Sequence, residues 1–239
     1  MRQWRYSSVG DVEVARTIGA GPLLIGAHFH DAVQVTVVTS GRRAFGGPAG
    51  PVEAEAGHAI VIPAYLAHAA APMAAGDDSV NVYLPAGVFE GAAPVVVPVP
   101  PGVERLPPPG MAAALRAVLA AVPAVVSALA PVPSRRARPT ALAAAVMGTD
   151  ADLRTLAARF TLSREAVIRR FARETGMTPH AFRVVARLNV ARRLLRAGMA
   201  PAEAAARSGF ADQSHLGRQF RAVFGTTPGR YRTFVPDSR

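Results

Sequence analysis

One helical unit occurs twice in the C-terminal half of this 239-residue chain, and that duplication limits the fold more than any other feature. A shift of 49 residues lays Val167 on Leu216, Arg169 on Arg218, Phe171 on Phe220, Gly176 on Gly225, Thr178 on Thr227, Pro179 on Pro228, Phe182 on Tyr231 and Arg183 on Arg232. In the second copy, residues 208–232, Gly209 supplies a turn and Asp212 an N-cap, and Leu216, Phe220 and Phe224 form one apolar stripe. The opposite face is polar and basic, with Gln213, Ser214, Arg218 and Arg221. The alanine-rich stretch 201–210 before it carries Pro201 at a helical first turn and closes on a glycine. In the first copy LRTLAARF (153–160) plays that part, and Ser163 caps REAVIRRFARETG. Two short helices joined this tightly predict a helix-turn-helix, whose second helix enters a DNA major groove. Between the copies, Phe182, Val185, Leu188, Ala191 and Leu195 predict a helix over residues 179–197, roughly 28 Å long. That length suits two reading helices on successive major-groove faces, about 34 Å apart along the duplex.

Charge divides the chain in the same place. Residues 134–239 hold twenty arginines against seven acids, whereas residues 1–133 hold seven against nine. The basic excess therefore belongs to the half with the repeat, as phosphate neutralisation requires. Every basic residue besides histidine is arginine, which fits a GC-rich genome as well as it fits bidentate contacts to phosphate and guanine. Cysteine is absent, so neither a disulfide framework nor a thiolate zinc site is expected. The first residues contain no apolar leader, and the alanine-rich stretch 111–133 carries Arg116 and Pro123, so the expected location is cytoplasmic with no membrane span.

Residues 140–234 resemble the DNA-binding domain of bacterial AraC/XylS-type transcription regulators. The resemblance rests on GFADQSHLGRQFRAVFGTTPGRYR (209–232), an almost complete family pattern with Leu216 where phenylalanine is more usual. It implies a one-component regulator with a helical domain of two helix-turn-helix units joined by a long helix. Arg164, Glu165, Ile168 and Arg169 are expected to face outward in the first unit, and Gln213, Ser214, Gly217 and Arg218 in the second. By motif position, Arg169 and Arg218 match the family's base-contacting arginine, which geometry pairs with guanine O6 and N7. Glu165 suits cytosine N4 and Ile168 a thymine methyl. For each arginine the alternative is a phosphate contact, the reading preferred for Arg164 and Arg221. Thr178 and Thr227 are expected N-caps, so their match between copies is structural.

Residues 1–97 alternate short valine-rich runs with glycine and proline turns, the pattern of a small barrel or sandwich. Within them GAHFHDAVQVTVVTSG (26–41) and GHAIVIPAYLAH (57–68) resemble the two cupin motifs. The expected fold class is therefore α+β: a cupin-like β-barrel over 1–97, then the all-α domain over 140–239. His28, His30 and Gln34 stand at even offsets, and His68 takes the place of the cupins' third histidine. Gln34 replaces the usual carboxylate and Tyr65 the usual glycine. Two readings follow: a metal-free effector pocket with no cofactor, which is preferred, and a divalent-metal site as the alternative; Trp4, Tyr65 and Tyr83 are the aromatics first associated with such a pocket.

Residues 98–139 read as a proline-rich linker containing a helix over 111–130, with Leu115, Leu119, Val122, Val126 and Leu129 as a seam. That seam either joins two copies, as the resemblance suggests, or packs on its own barrel. No paired carboxylates, nucleophile elbow or phosphate loop speak for catalysis, and a metal-dependent barrel enzyme is the rival reading. The expected partners are double-stranded promoter DNA, a small-molecule effector, RNA polymerase and a second copy of the chain.

Overall fold

A computed structural model describes residues 3–18, 25–129, 140–148 and 152–234. The N-terminal half supplies strands β1 (Gln3–Val9), β2 (Val12–Ile18), β3 (Ala32–Ser40), β4 (Arg42–Gly46), β5 (Val52–Glu55), β6 (His58–Ile62), β7 (Ala69–Ala70), β8 (Asp78–Pro85) and β9 (Val95–Pro98). Six of them form an antiparallel sheet in the order β1-β2-β8-β3-β6-β9, and the other three form a second sheet, β5-β4-β7. Among the described residues β1 and β9 remain edges of the large sheet and no ladder joins it to the small one. The expected closed barrel is thus corrected to an open pair of antiparallel sheets.

The two-residue period of β3 explains how the large sheet uses both faces. Val33, Val35 and Val37 point to one side, into a core completed by Met111, Leu115, Leu119 and Val122 of helix α1 (Pro108–Leu129). Three of the five expected seam positions are therefore covered by the chain's own sheet, while the side chains of Val126 and Leu129 lie outside the described residues. On the other side Val38 meets Ile60, Ile62 and the small sheet through Phe45 and Ala54. Further along that same side the residues become polar: Gln34, Thr36 and Asn81 form a buried chain of hydrogen bonds.

The C-terminal half contains α2 (Ala141–Gly148), α3 (Leu153–Arg159), α4 (Arg164–Thr175), α5 (Pro179–Arg196), α6 (Pro201–Arg207), α7 (Gln213–Phe224) and α8 (Pro228–Phe234). The repeat reappears in its caps. Ser163 Oγ accepts from the Ala166 amide at 3.1 Å and Asp212 Oδ1 from that of His215 at 2.6 Å, so α4 and α7 start alike. Both end on a left-handed glycine, Gly176 at φ 70° and Gly225 at φ 65°, a conformation that a side chain would strain. Thr178 and Thr227 cap α5 and α8, each accepting at 3.3 Å. The basic stretch 133–139 lies outside the described residues. Among those described, no helix is long and apolar enough to cross a membrane.

The cores of the two helix-turn-helix units do not belong to the helical half alone. Phe29 and Ala67 of the sheet half are buried with Val167, Phe171 and Phe182 in the first unit, and Phe29 stacks on Phe182 at 4.3 Å. Trp4, Tyr6, Ala15 and Tyr83 are buried with Leu188, Leu216, Phe220, Phe224 and Tyr231 in the second. Trp4 and Tyr83, read above as pocket aromatics, are thus part of the join between halves. Because Phe171 and Phe220 are fully buried at equivalent places, Phe171→Ala and Phe220→Ala should each cost about 3–5 kcal/mol in urea unfolding, against well under 1 kcal/mol for an exposed control such as Arg230→Ala.

Candidate functional site

The two reading helices expose the faces that the sequence assigns to DNA. On α4, Arg164, Glu165, Ile168 and Arg169 are exposed while Val167 and Phe171 are fully buried. On α7, Gln213, Ser214, Arg218 and Arg221 are exposed, Gly217 is half-buried, and Leu216 and Phe220 face the core. Ile168, at 36% exposure, is an apolar side chain left in solvent on that face. Other arginines are engaged within the protein: Arg170 pairs with Glu174 at 2.7 Å, and Arg207 with Glu203 at 2.9 Å.

The second constellation is buried. His28, His30 and His68 are at most 5% exposed, and their ligand-capable nitrogens lie within 4.8 Å of one another. His28 and His30 precede β3 rather than lying on it, yet the backbone brings His28 to His68 through reciprocal hydrogen bonds of 2.9 and 2.8 Å. Tyr65 stands at φ 64°, the left-handed region where the cupin pattern has glycine, and its amide donates to the His30 carbonyl at 2.7 Å. The turn thus clamps His30 although its residue pays the side-chain strain that glycine avoids.

Hydrogen bonding assigns the ring nitrogens. His28 Nδ1 donates to the Gly26 carbonyl at 2.8 Å and His68 Nδ1 to that of Leu66 at 2.9 Å, leaving both Nε2 atoms as lone pairs. His30 differs: its Nδ1 accepts from Arg192 Nη1 at 2.9 Å, and its Nε2 has no aligned partner among the described residues. The Gln34 amide donates to Thr36, which donates to Asn81, and this turns Gln34 Oε1 toward His68 Nε2 at 3.2 Å. The donor set, three imidazoles and one amide oxygen, with two rings anchored through Nδ1 to carbonyls, suits a divalent transition metal. Only His30, held by Arg192, is turned away from that use.

Burial pushes all three rings toward neutrality: His28 falls to about 4 and His68 to about 3, and His30 lies well below its ordinary value, with neighbouring histidines and Arg192 adding to the effect. Arg192 itself sits among Glu13, Tyr231, Tyr83, Tyr6 and Phe224. Its Nη2 donates to Glu13 Oε1 at 2.5 Å and its Nε to the Tyr231 hydroxyl at 3.3 Å, while that hydroxyl donates to Glu13 Oε2 at 2.5 Å. The guanidinium also lies 4.2 Å from the Tyr83 ring centroid and 5.2 Å from that of Phe224. Burial works against its charge, but Glu13, then Tyr231 and the other tyrosines, more than reverse this and raise its pKa well above the ordinary value. Burial likewise pushes the Tyr83 phenol up to about 12.

Arg192, Glu13, Tyr231 and Asn189, whose amide donates to the Phe29 carbonyl at 3.0 Å, escape a reading of the sequence alone. The available signal is Arg192 itself, four residues after Leu188 and three before Leu195, an arginine in line with buried leucines.

Comparison with known proteins agrees with this division. Residues 156–233 match a protein-family profile described as a helix-turn-helix domain. The chain is 40% identical over 84 residues to the transcriptional activator NphR of Rhodococcus sp, and 39% identical over 54 residues to YbfI of Bacillus subtilis (strain 168), an uncharacterized HTH-type transcriptional regulator. These matches cover 35% and 23% of this chain, and span only 25% and 20% of the two relatives' own lengths. Over nearly the whole chain the fold resembles ToxT from Vibrio cholerae, with TM-score 0.63 and 10% identity over 94% of this chain and 98% of that one. A ToxT structure with a bound unsaturated fatty acid gives the same TM-score, again at 10% identity, over 99% and 95%.

Two outcomes follow from the buried charges. Glu13→Gln should destabilise the protein by about 3–5 kcal/mol in urea unfolding, and adding Arg192→Met should restore most of that loss, because the unpaired charge and not the missing bond carries the cost. In metal-free buffer, the depressed histidine pKa values favour the folded state above the unfolded value near 6.5, and that advantage is lost as pH falls toward about 4 for His28 and about 3 for His68. Unfolding free energy measured between pH 6.5 and 5 should thus fall with a slope approaching about 1.4 kcal/mol per unit for each such histidine, and a flat profile would contradict it.

Proposed function

We infer that this chain, a member of the AraC/XylS-type regulators through its helix-turn-helix domain at residues 156–233, binds promoter DNA with both of its helix-turn-helix units. The observation that carries this reading is the duplicated unit itself: α4 and α7 begin and end with equivalent caps and expose equivalent arginines, Arg169 and Arg218. We assign Arg169 and Arg218 to guanine edges and Glu165 and Ile168 to neighbouring bases. Gln213, Ser214 and Gly217 lie at the groove wall, and Arg164 and Arg221 contact phosphates. A helix in place of a loop between the units makes their separation a fixed length, which suits a bipartite site with constant spacing.

The sheet half is read as the control domain. The fatty acid bound to ToxT supports small-molecule control of this fold, and the buried polar row beside His28, His30, Gln34 and His68 is the cupin-like feature retained by the open sheet arrangement. Since this half contributes Phe29, Trp4 and Tyr83 to the cores of both DNA-binding units, an effector that favours one arrangement of the shared core biases how the two reading helices are oriented on the fixed spacer. A homodimer contact through α1 would use its outer face, because Leu115, Leu119 and Val122 are already covered. Action on RNA polymerase in the cytoplasm completes the proposal, and the chain is read as a regulator with no enzymatic step.

Fluorescence anisotropy on the DNA upstream of the chain's own gene tests the reading. Arg169→Ala and Arg218→Ala should each weaken specific binding by about 1–3 kcal/mol at fixed salt and relax preference at one base position. Arg221→Ala should weaken all sequences alike and reduce the salt slope by about 1. Indifference to both arginine substitutions together would remove the assignment.

A further inference from the structure

The triplet His28-Phe29-His30 touches both DNA-binding units and the histidine cluster. Its backbone alternates: Phe29 enters the core of the first unit, and His30 lies 6.0 Å from Phe224, the last residue of α7. Helix α5 holds the triplet at two points one turn apart, with Asn189 on the Phe29 carbonyl and Arg192 on His30 Nδ1. His30 is accordingly shared between two claimants, the arginine of the DNA-binding half and the cluster completed by His28, His68 and Gln34.

We propose that Arg192 and a divalent transition-metal ion of the zinc class compete for His30, so that metal loading of the histidine cluster breaks the bond between His30 and Arg192 while the other contacts between the sheet half and α5 remain. This rests on the regulator reading above and names the class of effector for it. The exclusion follows from proton counting and holds whichever ring nitrogen binds. Arginine carries donors only, so its bond to His30 Nδ1 consumes that lone pair and leaves the proton of the neutral ring on Nε2. Ligation through Nδ1 needs the lone pair that Arg192 holds. Ligation through Nε2 moves the proton to Nδ1, which then confronts the Arg192 N–H donor. Either way His30 must leave Arg192, and the three rings must also close from within 4.8 Å to the roughly 3.4 Å between nitrogens that a tetrahedral site with bonds of about 2.0–2.1 Å needs. His68 forms part of the wall of a cleft of about 380 Å³ that Pro48, Ala172, Arg173 and Gly176 also line, at the end of α4.

The consequence reaches α7 because the same arginine is tied to it. Once separated from His30, Arg192 keeps Glu13 and Tyr231 but loses the ring that fixes it against Tyr83 and Phe224, and Phe224 is also where Tyr6 anchors the helix through a 2.8 Å bond to its carbonyl. Trp4, the single tryptophan, lies in that shared core and reports the change.

The test uses the full chain stripped of metal. Zn²⁺ titration followed by calorimetry and by Trp4 emission should give one ion per chain with a coincident emission change, and Co²⁺ should give the visible spectrum of imidazole ligation. His30→Gln keeps an acceptor for Arg192 and so the docked fold. It should bind Zn²⁺ about 10–100-fold more weakly, with Trp4 no longer responding. The Glu13→Gln/Arg192→Met double variant, freed of the competing donor, should bind more tightly than the native chain. Zn²⁺ binding that leaves Trp4 unmoved, equal affinity in the native chain and His30→Gln, or no binding in any of the three proteins overturns the proposal. Promoter binding is measured separately: a chain that binds DNA and ignores Zn²⁺ overturns this inference alone, whereas a Zn²⁺-linked Trp4 response without DNA binding supports it and overturns only the regulator reading.

Discussion

The ion pair between Arg192 and Glu13 is the constraint on which the rest of the molecule depends. Both groups are buried, one on the long helix of the DNA-binding half and the other on the second strand of the sheet half. Desolvating two charges costs several kcal/mol each, so such a pair does little for stability unless every remaining donor and acceptor is met. Here the tyrosine hydroxyl of α8 and the ring of His30 meet them, and three aromatic rings surround the guanidinium. What the network secures is relative position: displacement by even a few ångströms leaves a buried charge unpaired, so the two halves have one well-defined seat.

That seat was prepared by strand register. Glu13 of β2 stands opposite Tyr83 of β8, and Tyr83 stands opposite Gln34 of β3, so one cross-strand row presents a carboxylate, a phenol and an amide toward the helices. The valines that alternate with this row bury themselves under α1 on the other face. A one-residue slip in any of the three strands would send the polar row into the α1 core and the valines toward Arg192, and both the packing and the charge balance would fail together. The same period of two gives each pair of ladders its apolar side and its functional side.

Much of this was legible in the sequence, and the limits have physical reasons. The helices of the DNA-binding half were readable to within a few residues because their stripes and caps are local: Ser163, Thr178 and Asp212 act on amides three positions away. The strands at Ala32–Ser40, His58–Ile62 and Asp78–Pro85 were readable for the same reason. The histidine cluster could be anticipated as a set through the cupin likeness, but the open sheet could not, since closure depends on which edge strands find partners. Least legible was Arg192. Charge counting places every arginine of the basic half among candidates for phosphate, and only the partner 179 residues away in the chain, Glu13, turns this one inward.

The arginines of that half therefore serve two ends, and the division sets how the halves can communicate. Arg164, Arg169, Arg218 and Arg221 face solvent on the reading helices. Arg192, Arg193 and Arg196, one run along the end of α5, are engaged by Glu13 and Asp31 of the sheet half. The slightly acidic N-terminal half thus neutralises the end of α5, and among the described residues reaches none of the four exposed arginines of α4 and α7. Separating the halves would expose the flanks of Phe29, Trp4 and Tyr83 and strip a buried guanidinium of its carboxylate, so complete undocking is far too costly for a ligand to drive. A ligand supplies only its difference in affinity between two states, typically a few kcal/mol. The switch that this architecture can sustain is consequently a local exchange of partners at one shared residue, with the rest of the join intact, and His30 is the residue at which the helical half and the histidine cluster meet.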